Sequence, residues 1–351
     1  MKRTNFQNTR TDINIACGSN PVVKKKHLRM KKILVFLLLA VAFTSCYKDY
    51  IVDFDYNAIY IPLQTDVRTF VVGEGMKFDF GVEIGGIRDN ARDRIITYQI
   101  DNSLITPAIL AKIKGGPAYM SSASAEVTTL LPLPANYYTL SNATQFVIKK
   151  GEHQGKVTVR PDSVSFLSDP ATIIPNYALG IRIITADADS ILENSRTEVI
   201  GVKFENMLFG NYWHGGSALV NRPAKSDTTF TYYTTIPVSE AKIWMLKTAG
   251  PNTLYATGYF DQVTGKNEML LALNGTDITI GSVAGSTWPI AAEGTSEFNR
   301  AKLLQNRKIV LKYRYTNTVN GYTYHCTDTL TFRNRMRDGV NEWQDENPAN
   351  Y

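Results

Sequence analysis

Side chains that alternate in polarity with a period of two recur along this 351-residue chain after residue 50, and such a pattern folds as sheet. Lys77-Phe78-Asp79-Phe80-Gly81-Val82-Glu83-Ile84, Lys156-Val157-Thr158-Val159-Arg160 and residues 178–184 each put every second side chain on one face. Turn residues separate the runs at Gly73-Glu74-Gly75, Gly85-Gly86, Lys150-Gly151-Glu152, Asn274-Gly275 and Asn320-Gly321. Asn320-Gly321 reads as a two-residue type I′ hairpin, because both central positions of that turn need positive φ. Only two short helices are expected, over 107–114 and 296–304. The chain reads as all-β.

A boundary is expected near residues 205–210. Glu198-Val199-Ile200-Gly201-Val202-Lys203-Phe204 looks like a closing strand, and Phe209-Gly210-Asn211-Tyr212-Trp213-His214 opens a new set. Residues 51–204 then suit an Ig-like β-sandwich without the cysteine pair of antibody domains. Residues 205–351 carry strand-like runs near 218–221, 228–236, 241–247, 253–260, 268–273, 277–281, 308–316 and 322–332. An antiparallel, lipocalin-like β-barrel and a second sandwich both accommodate them.

The formal charge of +6 suggests nucleic acid until it is located. Nine of the 38 Lys and Arg residues, but only one of the 32 Asp and Glu residues, precede Cys46. The remainder is weakly acidic and lacks the basic footprint that phosphate recognition needs. The basic residues belong to a leader. Met30-Lys31-Lys32 is a cationic start, 33–43 an apolar run, and Thr44-Ser45-Cys46 a small-residue cleavage site. The run falls short of the ~20 residues of a spanning helix. Residues 30–45 are therefore expected to be a lipoprotein signal peptide, 1–29 an upstream extension, and 46–50 the lipidated Cys46 with its tether. At about 0.8 kcal/mol per buried methylene, several acyl chains such as palmitate hold where one is marginal. Cys326 is left without a disulfide partner and reads as a buried thiol.

Several motifs carry a resemblance. Gly85-Gly86-Ile87-Arg88-Asp89-Asn90 with Asp93, Leu131-Pro132 with Tyr137-Tyr138-Thr139-Leu140, Phe146-Val147-Ile148-Lys149-Lys150-Gly151 and Asn176-Tyr177-Ala178-Leu179 stand in order. In that order they resemble the Ig-like domain of unknown function that opens many Bacteroidetes surface lipoproteins. Gly210-Asn211-Tyr212-Trp213, Asp328-Thr329-Leu330-Thr331-Phe332-Arg333-Asn334-Arg335 and Trp343 are similar to the β-rich C-terminal domain often paired with it. The resemblance implies an outer-membrane lipoprotein of a Sus-like polysaccharide-utilisation system. Such a protein faces the cell surface and holds a polysaccharide or oligosaccharide beside a TonB-dependent transporter and its lipoprotein partner.

No chemistry-bearing constellation is visible. His153, His214 and His325 have no second ligand at metal spacing, and adjacent His325 and Cys326 point to opposite faces of a strand. No Gly-x-Ser-x-Gly elbow or P-loop occurs. The acids Asp79, Glu83, Glu240 and Asp261 are scattered, and a glycosidase needs two of them to face each other. No enzyme and no cofactor are expected; glycan binding, adhesion to another protein and a cryptic glycoside hydrolase follow in that order. Sugar binding needs exposed aromatic faces. Trp288, in the loop Gly285-Ser286-Thr287-Trp288-Pro289, is the leading candidate, although a plug over the core is an equal reading. Tyr137 and Tyr138 follow, since adjacent residues in a strand point to opposite faces. Trp213 and Trp244 read as core.

Overall fold

Between Ala58 and Glu205 the alternating runs pair into two sheets. One is ordered Ser190–Ile191, Ala58–Tyr60, Phe78–Gly85, Gln154–Pro161, Tyr138–Leu140. The other runs Thr65–Val71, Thr197–Glu205, Tyr177–Ala186, Arg94–Ile100, Gln145–Ile148, with Leu131–Pro132 beside Tyr177–Ala186. Phe80 and Val82 from the first sheet and Ile96, Ile181 and Ile200 from the second share one buried core, which makes the pair a sandwich. Its aromatic rings meet edge to face, Phe80 and Phe146 at 5.4 Å and 84°. These are features of a computed structural model that describes residues 56–232, 242–258, 260 and 268–344. Cys46, the leader, Glu240 and Asp261 lie outside the described residues.

The helix Pro107–Lys114 forms where the sequence places it. Thr106 accepts from Ile109 N at 3.3 Å, Pro107 fits the first turn, and Gly115 follows the last. Leu110 and Ile113 turn inward, and with Met120 of the next helix, Ala118–Ala123, they cover Val67, Ala178 and Val199 on the back of the second sheet. The helix expected over 296–304 does not form. Ser296–Phe298 is a strand whose burial alternates, Ser296 Oγ accepts from Lys312 N at 2.8 Å, and Arg300 has φ 51°, which helices exclude.

The second half closes into a barrel. Gly210–Asn221, Lys242–Gly250, Thr253–Ala256, Met269–Asn274, Asp277–Ser282, Ser296–Phe298, Lys308–Asn317 and Tyr322–Arg337 pair in turn. The last pairs back on the first, from Asn211↔Asn334 to Asn221↔Thr323. Pairing thus decides between barrel and sandwich. Gly215-Gly216 marks the point where Gly210–Asn221 exchanges one neighbour for another, from Lys242–Gly250 to the side strand Thr228–Tyr232. A Cβ on Gly216 would lie 2.1 Å from Thr327 O, so glycine is required there. Leu246, Leu271, Leu311, Tyr212 and Trp244 fill the interior. Trp213, expected in the core, points outward under Arg333 (5.0 Å), because the alternation turns Tyr212 and His214 inward instead. The hairpin at Asn320-Gly321 has a four-residue loop, 318–321, in which Gly321 alone has positive φ; it is not the two-residue type I′ turn.

Candidate functional site

The three rings singled out in the sequence do not stand open to solvent. Trp288 is 9% exposed and belongs to the barrel core, its ring parallel to Tyr315 at 6.2 Å. The plug reading describes it, and no face is free for a sugar. Tyr137 ends a 3-10 turn, Ala135–Tyr137, instead of lying in the strand with Tyr138. The expected alternation is therefore broken, and both rings lean half-buried on the sandwich core. Tyr137 and Tyr177 both donate to Asp169 Oδ2, at 3.0 and 2.8 Å.

A polar cluster is buried inside the barrel. Asp328 Oδ2 accepts from Tyr313 OH at 2.6 Å, and Oδ1 from Tyr232 OH. His214 Nε2 lies 3.2 Å from Asp328 Oδ2 in poor hydrogen-bond alignment, and its ring stacks on Trp244 at 3.8 Å. Burial, followed by the nearby Asp328 charge, holds both tyrosines well above their ordinary pKa, so they stay protonated donors. Such a satisfied carboxylate fixes the register of the strands around it. Cys326, next along the strand from outward-facing His325, is 3% exposed and forms no disulfide. His325 Nδ1 instead meets the Glu293 carboxylate at 2.8 Å on the outer surface.

An open groove lies where sandwich and barrel meet. Strands Thr65–Val71 and Thr197–Glu205 supply its floor through Val67, Thr69, Lys203 and Glu205, and their parallel register sets Lys203 beside Thr69. Residues of the helical insert, Tyr119 foremost, form one wall. Met245 and Lys247 of the barrel and the hairpin that joins Tyr322–Arg337 to Val340–Glu342 form the other. The volume is about 670 Å3. Asp338 and Gly339 make the hairpin turn with φ of 49° and 83°, both left-handed, as a type I′ turn requires. Tyr119 packs over Gly339 and donates to Asp66 Oδ1 at 2.6 Å, while Arg68 Nε binds Asp66 Oδ2 at 2.7 Å.

The groove is mixed in character. Lys203 is paired with Glu205 and lies 5.6 Å above the Phe209 ring. Two buried carboxylate oxygens, Glu205 Oε2 and Asp338 Oδ1, accept no hydrogen bond. Burial pushes the Asp338 carboxyl up to about 6. Acceptors without donors favour a ligand rich in donors. The described lining holds neither histidine nor cysteine. The same hairpin exposes a surface: Met336 is 51%, Val340 60% and Trp343 57% exposed. Trp343 is the open ring that Trp288 is not. Its sequence signal is Asp338-Gly339, a hairpin dipeptide that turns the chain back along Arg335–Arg337 and leaves Trp343 just past the end of the short returning strand Val340–Glu342.

A sandwich joined to a closed barrel defines an all-β protein of two β assemblies. Residues 54–190 match a family model described as "-like, N-terminal domain". A crystal structure from Bacteroides ovatus, of a structural-genomics protein of unknown function, is 20% identical with a TM-score of 0.62. It covers 83% of this chain and 99% of its own, so the fold is shared over nearly the whole of that protein. A second Bacteroides ovatus crystal structure, also of unknown function, is 11% identical with a TM-score of 0.43, covering 83% of this chain and 100% of its own. No curated protein matches the chain.

Proposed function

We propose that the chain is a lipoprotein anchored through Cys46 in the outer membrane, facing the cell surface, that binds a glycan without cleaving it. Its place is as an accessory protein of a Sus-like polysaccharide-utilisation system, beside a TonB-dependent transporter and its lipoprotein partner. The leader with its Thr44-Ser45-Cys46 ending supports the anchor. One observation carries the binding reading: a groove of about 670 Å3 that combines apolar walls with unsatisfied carboxylate acceptors, walled by the hairpin beyond which Trp343 is exposed. Its volume lies within the roughly 300–1,000 Å3 of small-molecule sites. Sugars present both faces that such a site needs, C–H surfaces for the aromatic ring and hydroxyl donors for the carboxylates.

Calorimetry and affinity electrophoresis of the full chain against a panel of polysaccharides test this reading. Binding to at least one glycan is expected, weakened by Trp343→Ala and by Tyr119→Ala, with no reducing sugar released. A panel without a single binder, or binding indifferent to both substitutions, would refute the groove as a glycan site. The anchor has a separate test. Mass spectrometry of the membrane fraction should find a diacylglyceryl group on Cys46, and Cys46→Ser should release the protein.

A further inference from the structure

A second cavity opens in the sandwich, apart from the groove, where the short strand Ala58–Tyr60 ends. Beyond Tyr60 the chain leaves its neighbour, and Ile61 N donates to Ser195 O at 2.7 Å, beside the start of Thr197–Glu205. The strand Phe78–Gly85 is therefore paired on that side only over Glu83–Gly85, and its other half borders a cavity of about 280 Å3. Gly81 and Gly155 form part of the wall. A Cβ on Gly81 would lie 2.5 Å from Gly155 O, so the backbones approach where no side chain fits. Glu198 lines this cavity with 5% of its surface exposed, and among the described residues no hydrogen bond or ion pair reaches its carboxyl.

We propose that this cavity binds a primary ammonium group carried by a small organic molecule, with Glu198 as the carboxylate that receives it. Acids outnumber cations around it. Strand Thr65–Val71 brings Asp66 and Arg68, Phe78–Gly85 brings Asp79 and Glu83, and Gln154–Pro161 brings Lys156. Asp338 approaches Arg68 from the other side at 4.0 Å. The Arg68 guanidinium is committed to Asp66 at 2.7 Å. Glu83 is held by Tyr60 at 3.0 Å and Gln154 at 2.7 Å, and Asp79 by Thr158 at 2.7 Å. Glu198 is the acid left over. A metal ion does not suit the place, since the described residues contain no group of three or more ligating side chains. The space is also that of a molecule and not of a bare ion, given about 30 Å3 for one water. An ammonium offers three donors and a compact charge that pairs strongly with a desolvated carboxylate.

Burial, and then the charge of Asp66, push the Glu198 carboxyl up to about 8. The empty cavity thus holds it protonated at neutral pH. An arriving ammonium takes the place of that proton, which passes to the buffer, so binding and proton release are coupled.

Calorimetry of the full chain at pH 7 with glucosamine, N-acetylglucosamine and cadaverine, each in phosphate and in HEPES, tests this. An amine should bind with a buffer-dependent heat that corresponds to nearly one proton released, and the neutral N-acetyl sugar should not bind here. Cadaverine affinity should rise between pH 6 and pH 8. Glu198→Gln should weaken amine binding by roughly tenfold or more. Binding of glucosamine alone assigns the site to an amino sugar, and binding of both amines assigns it to amine termini generally. Should the variant not fold, the wild-type buffer dependence decides. Failure of both amines to bind, binding without proton release, or unchanged binding by Glu198→Gln would overturn the proposal. None of these results bears on the groove, which shares no side chain with this cavity.

Discussion

The Glu74 carboxylate lies 2.6 Å from a guanidinium nitrogen of Arg335, a residue 261 positions further along the chain. Its other oxygen meets Arg307 at 2.7 Å, and all three side chains are buried. Glu74 stands in the Gly73-Glu74-Gly75 turn of the sandwich, and both arginines belong to the barrel. Other guanidinium protons reach Met207 O, Ala301 O and Lys302 O from Arg307, and Glu342 from Arg335. This network holds the two β assemblies together, and its loss should be costly, because Arg307 would remain buried without an acid and Arg335 with Glu342 alone.

Glu74→Ala should therefore lower stability by about 3–5 kcal/mol in urea unfolding. The pH dependence has a definite sign. Burial alone would raise the Glu74 carboxyl, but hydrogen bonds and charge from Arg335 and Arg307 outweigh it and hold the group below its ordinary 4.5. A depressed acid stabilises the fold above about 4.5, and that contribution disappears as pH falls through the lower folded value. Acid unfolding of Glu74→Ala should lack this component.

Glu198 acts in the opposite sense. Its folded value of about 8 stands above the ordinary 4.5, so the folded state holds the proton more tightly than the unfolded chain. Its contribution is fully present below about 4.5 and is lost as pH rises to about 8. Glu198→Gln should remove this loss. The Tm difference between variant and wild type should then grow in favour of the variant between pH 5 and pH 8, and a flat difference would contradict the assignment.

Trp288→Ala is a core truncation and should cost about 3–5 kcal/mol. Thermal melts would show it. Under conditions where the variant remains folded, its glycan affinity should equal that of the wild type, in contrast to Trp343→Ala.

Gly339→Ala tests the hairpin beside the groove. At φ 83° a Cβ is strained, and it would lie 3.1 Å from the Tyr119 ring. A loss of about 1–3 kcal/mol is expected. Tyr119→Ala should recover part of it in the double variant, because the steric component needs both side chains.

The strands were legible because a period of two is a local property, and Pro107–Lys114 was legible because Thr106-Pro107 and Gly115 mark its ends. The helix expected over 296–304 shows the limit. Ser296-Glu297-Phe298 is short, and only its neighbours in the sheet make it a strand. Closure of the barrel depends on Gly210–Asn221 meeting Tyr322–Arg337, a tertiary pairing that no local pattern contains. Site residues were harder still. That Trp288 sits in a loop was readable, but not which way its ring turns. The groove draws on residues from Val67 to Gly339, which only the meeting of sandwich and barrel brings together.

The pairing of the barrel's first strand with its last also sets an order of events. Gly210–Asn221 has no closing neighbour until Tyr322–Arg337 has been made and delivered, about a hundred residues later. Contacts of such separation form slowly, because a long loop must be closed before the pairing returns any stabilisation. A chain cut short before Tyr322 would keep every signal for strands while leaving Gly210–Asn221 an unprotected edge, open to pairing with other copies. Completion of the C-terminal strand is thus the step that turns an aggregation-prone sheet into a closed one.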